Sequence, residues 1–439
     1  LNGFSGSKFS YNIVDLCNHW RSRRLVGIEQ GLLHRVTDMV QNDPGNGFRF
    51  IFSVYLSKFR QQEEPDLVQC GTVLEHKSKI VIKATALITD RDKLYMHRCF
   101  ELARKGLGMT MANPLVGAVI VHDDRIIGEG YHHEYGGPHA EVNAIRSVKD
   151  PSLFPHSTLY CSLEPCSHHG KTPPCSILIH QKGLRRVVVS NLDPFPSVNG
   201  KGIKYLEDAG IEVERGCLEE EGLHVNRRFF HYVNYKRPYV ILKWAKTADG
   251  FIDHERKPGD REGPVWISNE VTRTLVHKWR SEESSIMVGT NTVITDDPTL
   301  TVRRWSGNNP VRITLDRNGR LPEDAHILDG EEETIVFSGP KRNYSGKIQM
   351  VHADPSYQMV DVMEELFDRQ IVSVLVEGGA KLHQTFLNTG LWDEARVFTG
   401  KMQFTRGVKA PEIEDKPDEI YRFEETKLEV FRNKLSQLP

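Results

Sequence analysis

The stretch from His139 to Cys175 constrains this chain more than any other. It holds His139-Ala140-Glu141, then Pro165-Cys166, then Ser167-His168-His169-Gly170-Lys171-Thr172-Pro173-Pro174-Cys175. One imidazole and two thiols make three zinc ligands. A set that stops at three leaves the fourth position to a reacting molecule, as catalytic zinc sites do and structural ones do not. Glu141, two residues past the histidine, suits a proton shuttle for a zinc-activated water. The spacing therefore predicts one Zn2+ per chain on His139, Cys166 and Cys175, with Glu141 as the catalytic acid and base. A structural zinc or a set of free thiols is the competing reading.

At 439 residues the chain has room for two or three domains, each with its own core. Its formal net charge of −2 gives no argument for nucleic acid or an anionic membrane surface as partner. Apolar runs such as 114–121 and 371–376 are far too short to span a bilayer, and no charged-then-apolar leader opens the chain. Seven cysteines, two of them committed to the zinc motif, fit a reduced, cytoplasmic compartment better than a disulfide framework.

Residues 1–91 carry no chemical motif. Turn material at Asn42–Gly47 and a polar break at Gln61–Asp66 separate weakly patterned segments, and 73–88 suggests a strand or two. The expectation for this segment is a poorly ordered, even non-native, appendage, with a docking or regulatory module as the other option. Order starts near Asp92. Tyr95, Cys99, Leu102 and Ala103 make a helical stripe, followed by a strand to Val121, a turn at Asp123-Asp124 and a second strand to Gly130. His139 opens a helix over 140–148, and Cys175 opens another to Gln181. Helix N-termini lower thiol pKa values, so both motif cysteines are expected as thiolates. Strands over 157–163, 186–190 and 211–213 and a helix over 200–210 complete a β-β-α-β-α-β-α-β order, a three-layer α/β domain over 92–236.

Asn226–Tyr235 reads as a polar-aromatic joint closed by Arg237-Pro238. A further α/β domain over 237–439 begins with a strand from Tyr239, a turn at Thr247–Gly250 and a charged loop from His254 to Pro264. A helix from Asn269 capped by Ser268 follows. Buried strands are expected at 286–289, 311–316, 334–338 and 371–376, a helix at 381–388, and more strand at 391–398 and 421–431. No G-x-G-x-x-G follows a strand, which disfavours a Rossmann site. Gly378-Gly379 between strand and helix can instead cradle a pyrophosphate on bare N–H groups, though a plain turn explains it equally well.

These residues carry a resemblance. The zinc motif resembles the cytidine-deaminase-like superfamily. The eight-residue gap Ser-His-His-Gly-Lys-Thr-Pro-Pro between its cysteines looks like the deaminase half of the bifunctional deaminase/reductases of riboflavin synthesis. Asn113-Pro114, Gly130-Tyr131-His132 and the run Asp193–Gly202 agree with that family. Phe195 departs from it, standing where Asn is usual. The second half resembles the same family's dihydrofolate-reductase-like domain through Lys243, Asp249-Gly250, Trp266-Ile267-Ser268, Val288-Gly289, Thr292, Asp296-Asp297-Pro298, Arg303, Leu315-Asp316 and Val376–Gly379. Ser284 and Pro264 are departures there.

The resemblance implies zinc-dependent deamination of a diamino-hydroxy-phosphoribosylaminopyrimidine, then NADPH-dependent reduction of the ribosyl chain to ribityl. It assigns Asn113, His132, His168, Lys171 and Thr172 to the first substrate. Lys243, Arg280 and Arg303 become candidates for a ribose phosphate, and Asp296 and Glu377 for the sugar end. Trp266, Ser268, Thr292, Gly378 and Gly379 become candidates for NADPH. The expected partner is this small molecule, with neither nucleic acid nor membrane, and homo-oligomerisation stays open. The alternatives are a deaminase of another nucleobase or nucleotide with a merely ligand-binding second domain, and a zinc-stabilised scaffold without turnover.

Overall fold

A computed structural model describes the backbone of residues 33–43, 47–57, 67–70, 73–76 and 79–82, and residues 88–436 apart from 168–172, 197, 257–262 and 355. The first group belongs to a separate unit, Leu1–Leu87. Its strands β1 (Leu33–Asp43), β2 (Gly47–Ser57) and β3 (Leu67–Cys70) form one antiparallel sheet. β4 (Val73–His76) and β5 (Lys79–Ile82) pair in another. The two strands expected over 73–88 are therefore present, in a segment expected to be poorly ordered.

From Ile88 onward the chain forms a single compact unit. It starts earlier than the expected Asp92, because Asp92 is part of a helix cap. The Thr89 hydroxyl accepts from Asp92 N while the Asp92 carboxylate accepts from Thr89 N, which starts helix α1 (Asp90–Arg104). The same buried carboxylate accepts from Arg186 at 2.9 and 3.2 Å and from the Tyr160 hydroxyl at 2.8 Å, tying α1 to the sheet beneath it. That sheet contains β6 (Gly117–His122), β7 (Arg125–Tyr131), β8 (Thr158–Leu163), β9 (Arg186–Asn191) and β10 (Glu212–Arg215), in the order β10-β9-β8-β6-β7. Helix α1 covers one face. Helices α2 (Ala140–Ser147), α3 (Cys175–Gln181) and α4 (Lys201–Asp208) cover the other, burying Ala144, Ile179 and Leu206 against Ile120, Leu159 and Val187. This is the expected three-layer arrangement.

The expected joint at 226–235 is helical instead: α5 (Glu219–Val225) and α6 (Arg227–Tyr235). Its polar residues are buried in pairs rather than left in solvent. Asn226 exchanges two hydrogen bonds with the Leu115 backbone at 2.7 and 2.8 Å. Arg228 makes a bidentate pair with Glu283, in which the side chains are 10% and 0% exposed.

The second domain is built on a nine-stranded sheet. Its strands are β11 (Tyr239–Lys246), β13 (Ser285–Gly289), β14 (Val311–Asp316), β15 (Thr334–Ser338), β16 (Ile348–His352), β17 (Ser373–Gly378), β18 (Glu394–Thr399), β20 (Glu419–Phe423) and β21 (Thr426–Arg432). They run in the order β16-β15-β14-β13-β17-β11-β18-β21-β20. The pairing is parallel except at the last two ladders. β12 (Phe251–Asp253) and β19 (Val408–Lys409) form a small ribbon beside it. Helix α7 (Glu270–Glu282) buries Val276 and Trp279 on one face against Ile241, Leu375 and Phe398. Helices α9 (Met359–Asp368) and α10 (Ala380–Thr389) bury Leu366 and Phe386 on the other. The cap of α7 is Asn269 rather than the expected Ser268, its Oδ1 accepting from Thr272 N at 3.0 Å. Strand β16, helix α9 and the short helix α8 (Thr290–Asp296) have no counterpart in the elements expected from sequence.

Candidate active sites

The first site sits where α2 and α3 begin. His139 is the N-cap residue of α2, with no side-chain cap of its own. That leaves its imidazole to turn outward, and Nδ1 lies 3.5 Å from Cys166 Sγ and 3.3 Å from Cys175 Sγ. All three ligand atoms fall within 4.8 Å of one another. A tetrahedral zinc with ordinary Zn–N and Zn–S bonds demands edges of about 3.6 Å. Charge agrees with shape. The Cys175 thiol, ahead of His139, holds Cys166 down at about 4, and Cys166 in turn holds His139 up at about 9. A triangle that collects protons this way is built for a cation, and among the described residues no fourth His, Cys, Asp or Glu joins it. Only Cys175 starts a helix. Its N–H donates to Cys166 Sγ at 3.3 Å, so the helix end lowers the Cys166 thiol, whereas the hydrogen bond to Cys166 and burial push the Cys175 thiol up, against the expectation of two thiolates.

Glu141 is 3% exposed, in the first turn of α2. Burial pushes its carboxyl up, with His139 opposing, toward the range where one carboxylate both takes and returns a proton. His132 is equally buried. Its Nδ1 lies 3.0 Å from the Pro138 carbonyl and must carry the hydrogen there. Nε2 is then an acceptor, and it faces Asn113 Nδ2 at 3.0 Å. Both ring nitrogens are thus engaged internally, and His132 orients Asn113 so that the amide oxygen is left for a ligand. His168, Lys171 and Thr172 lie outside the described residues. Phe195 packs on Phe229 at 5.7 Å between centroids. Sequence reasoning passed over Glu164. This buried carboxylate accepts from the backbone N–H of Asp193, Gly200, Gly202 and Ile203, pinning the 193–203 segment to the Pro165-Cys166 turn. Its position directly before Pro-Cys was the available signal.

The second site is a cavity of about 1460 Å³ at the C-terminal ends of β11, β13 and β17. Lys243, Trp266, Ser268, Arg280, Thr292, Asp296, Arg303, Glu377, Gly378 and Gly379 all line it, as does Pro264. Ser284 instead borders the cleft between the two domains. Arg280 and Glu377 are spent on each other, through Nε and Nη2 at 2.8 and 2.9 Å, with Lys243 Nζ at 3.5 Å. Burial would raise the Glu377 carboxyl, but Arg280 and Lys243 outweigh it and hold it at about 2. Arg303 touches the hydroxyls of Thr299 and Thr301, and no carboxylate pairs with it among the described residues. Burial, helped by Arg280 and Arg304, pulls its pKa down, which marks it as a cation in want of an anion. Gly378 has φ +143, a conformation that calls for glycine, and a Cβ on Gly379 would press on Thr292 Oγ1 at 3.1 Å. No side chain caps the first turn of α10 that follows.

Fold and sites together define a zinc deaminase domain joined to a second α/β catalytic domain. Residues 89–191 match the cytidine and deoxycytidylate deaminase zinc-binding region, and residues 238–407 match the RibD C-terminal domain. The riboflavin biosynthesis protein RibD of Aquifex aeolicus is 40% identical over 318 residues, covering 71% of this chain and 87% of that protein. The Escherichia coli K12 protein of the same name is 35% identical over 331 residues, covering 70% and 87%. The crystal structure of a Thermotoga maritima diaminohydroxyphosphoribosylaminopyrimidine deaminase/5-amino-6-(5-phosphoribosylamino)uracil reductase superposes with a TM-score of 0.71 at 38% identity. It covers 78% of this chain and 99% of that one. The chain belongs to the RibD family: it is a bifunctional enzyme of riboflavin biosynthesis, with a deaminase domain followed by a reductase domain. Among the described residues no helix is long and apolar enough to cross a membrane.

Proposed function

We propose that the deaminase domain acts on diamino-hydroxy-phosphoribosylaminopyrimidine and that the reductase domain uses NADPH to convert the ribosyl chain of the product to ribityl. The observation that carries this reading is the pairing of two separate sites in one chain. One is a three-ligand zinc triangle beside a buried carboxylate, the other a large cavity with an unpaired cation at its wall. Zinc held by His139, Cys166 and Cys175 would make water acidic enough to react near neutral pH. Glu141 takes the two protons of the attacking water in turn, passing the first to the ring nitrogen and the second to the exocyclic amine, which leaves as ammonia while the ring carbonyl forms. Asn113, fixed by neutral His132, reads the ring through its amide oxygen, and Lys171, Thr172 and His168 contact the rest of the substrate.

In the reductase domain, NADPH supplies the hydride, and the chain supplies position. Gly378, Gly379 and the uncapped start of α10 hold its pyrophosphate, with Trp266, Ser268 and Thr292 alongside. Arg303 takes the substrate phosphate. Arg280 and Lys243 keep Glu377 ionised, and Glu377 and Asp296 accept hydroxyls at the sugar end. Complementation tests the division of labour. Glu141→Gln should release no ammonia, keep its zinc, and still oxidise NADPH on supplied deaminated substrate. Asp296→Asn should release ammonia and oxidise none. A mixture of the two should complete the conversion through a diffusible intermediate. Loss of reduction in Glu141→Gln with supplied intermediate would show that the two sites are not independent and overturn the assignment.

A further inference from the structure

The charged loop after β12 places a cation in the reductase cavity that neither the family resemblance nor the roles above employ. The Arg256 side chain is 8% exposed and lines that cavity together with Asp253 and Asp296. Its Nε donates to Asp253 Oδ2 at 2.7 Å and its Nη2 to Asp253 Oδ1 at 3.2 Å. The same Nη2 donates to the Gly263 carbonyl at 2.8 Å and stands 3.4 Å from Asp296 Oδ1. One guanidinium thus stitches the end of β12, the returning loop and the end of α8. Asp296 Oδ1 also accepts from the Thr295 hydroxyl at 3.1 Å. Its first oxygen is therefore engaged by Thr295 and Arg256, and the second is left to the cavity.

We infer that Arg256 is a positioning residue of the reductase site, clamping Asp296 so that it presents an ionised acceptor to a ribose hydroxyl. The inference rests on the sugar-end role of Asp296 proposed above. Asp253 and Asp296 both approach this one guanidinium, and removing it leaves two like charges with no cation between them. Burial and Asp253 raise the Asp296 carboxyl, and Thr295 and Arg256 oppose them. Among the described residues, the neighbouring ionisable groups His254 and Asp297 are engaged elsewhere. His254 lies 3.3 Å from Asp253, and the Asp297 carboxylate is engaged by His326 at 2.7 Å. The hydroxyl could belong to the substrate or to the cofactor, and the diol chemistry is the same in either.

The test compares Arg256→Gln, Arg256→Lys and Asp296→Asn in the full chain. It follows NADPH binding by tryptophan fluorescence, KM for the deaminated substrate, and the pH dependence of NADPH oxidation. Arg256→Gln should weaken one of the two ligands roughly tenfold, the scale of a hydrogen bond to a charged group. It should also move the acid limb of the pH profile upward by about one unit or more. Arg256→Lys should restore part of both. A change in NADPH affinity assigns the hydroxyl to the cofactor, a change confined to KM assigns it to the substrate, and either carries the inference. An unmoved acid limb with unchanged affinities in Arg256→Gln overturns it while leaving the role of Asp296 standing. An Asp296→Asn enzyme that still reduces normally overturns that role and the inference with it. If Arg256→Gln melts early, the Asp253→Asn/Arg256→Gln double variant, with both charges removed, carries the same affinity test.

Discussion

Glu377→Gln isolates the electrostatics of the reductase cavity. The carboxylate is 8% exposed, engaged twice by Arg280 and once by Lys243, and held at about 2 instead of its ordinary 4.5. At ~1.4 kcal/mol per pH unit, that gap is worth about 3 kcal/mol of folding stability near neutral pH. The sign follows from the depressed value. The contribution is complete above the unfolded pKa of 4.5 and is lost as pH falls through 4.5 toward about 2. The amide of Gln keeps the shape and removes the charge, leaving Arg280 and Lys243 facing each other. Urea unfolding at about pH 7 should therefore find the variant less stable by about 3 kcal/mol, and the difference should shrink by ~1 kcal/mol between about pH 4.5 and pH 3.5. NADPH oxidation should be lost with it. A variant as stable as the parent at neutral pH, or a difference that stays flat down to pH 3.5, refutes the account of Glu377 as a carboxylate held ionised by two cations.

Three further outcomes are expected. Cys166→Ser and Cys175→Ser should each purify without zinc, measured as metal per chain, because each removes one corner of a triangle that has three ligands among the described residues. Arg228→Met should destabilise by ~3–5 kcal/mol through the buried Glu283 it strands, whereas Arg228→Met/Glu283→Leu should come close to the parent in the same denaturation. Deleting residues 1–87 should leave ammonia release and NADPH oxidation intact, since both family matches begin after that point; an insoluble or inactive product would make the segment part of the deaminase fold.

The zinc triangle was legible because ligand chemistry is written in residue type and local order. His139, Cys166 and Cys175 need no distant information to be recognised as three corners of one site. The flanking strands were legible for a similar reason, since 158–163 is rich in apolar and aromatic residues and Val187–Val189 is a β-branched run. What stayed hidden depends on partners far along the chain. Helix α6 looks like a polar joint because Arg228 is polar, and only its pairing with Glu283, 55 residues away, turns it into buried structure. Arg280 looked like a phosphate ligand because nothing near it in sequence reveals Glu377, 97 residues on. The hydrogen bond that fixes the His132 ring was likewise hidden, because the Pro138 carbonyl beside it is placed there by the fold. The first turn of α7 misled on a smaller scale. Ser268 and Asn269 are both good caps, and the choice between them rests on one residue's backbone angle.

The buried contact between α6 and the end of α7 also bears on how such enzymes can be recombined. Arg228 comes from the first domain and Glu283 from the second, and Arg227 from the first reaches Glu394 of the second at 3.4 Å. Arg228 and Glu283 are thus charges that the two halves neutralise for each other, whereas Glu394 also has Arg396 of its own domain at 2.6 Å. A chimaera that joins this deaminase to a relative's reductase inherits both active sites whole. It should fold well when the borrowed domain offers an acid at the position of Glu283, so that buried site, rather than any catalytic residue, bears on which halves are interchangeable.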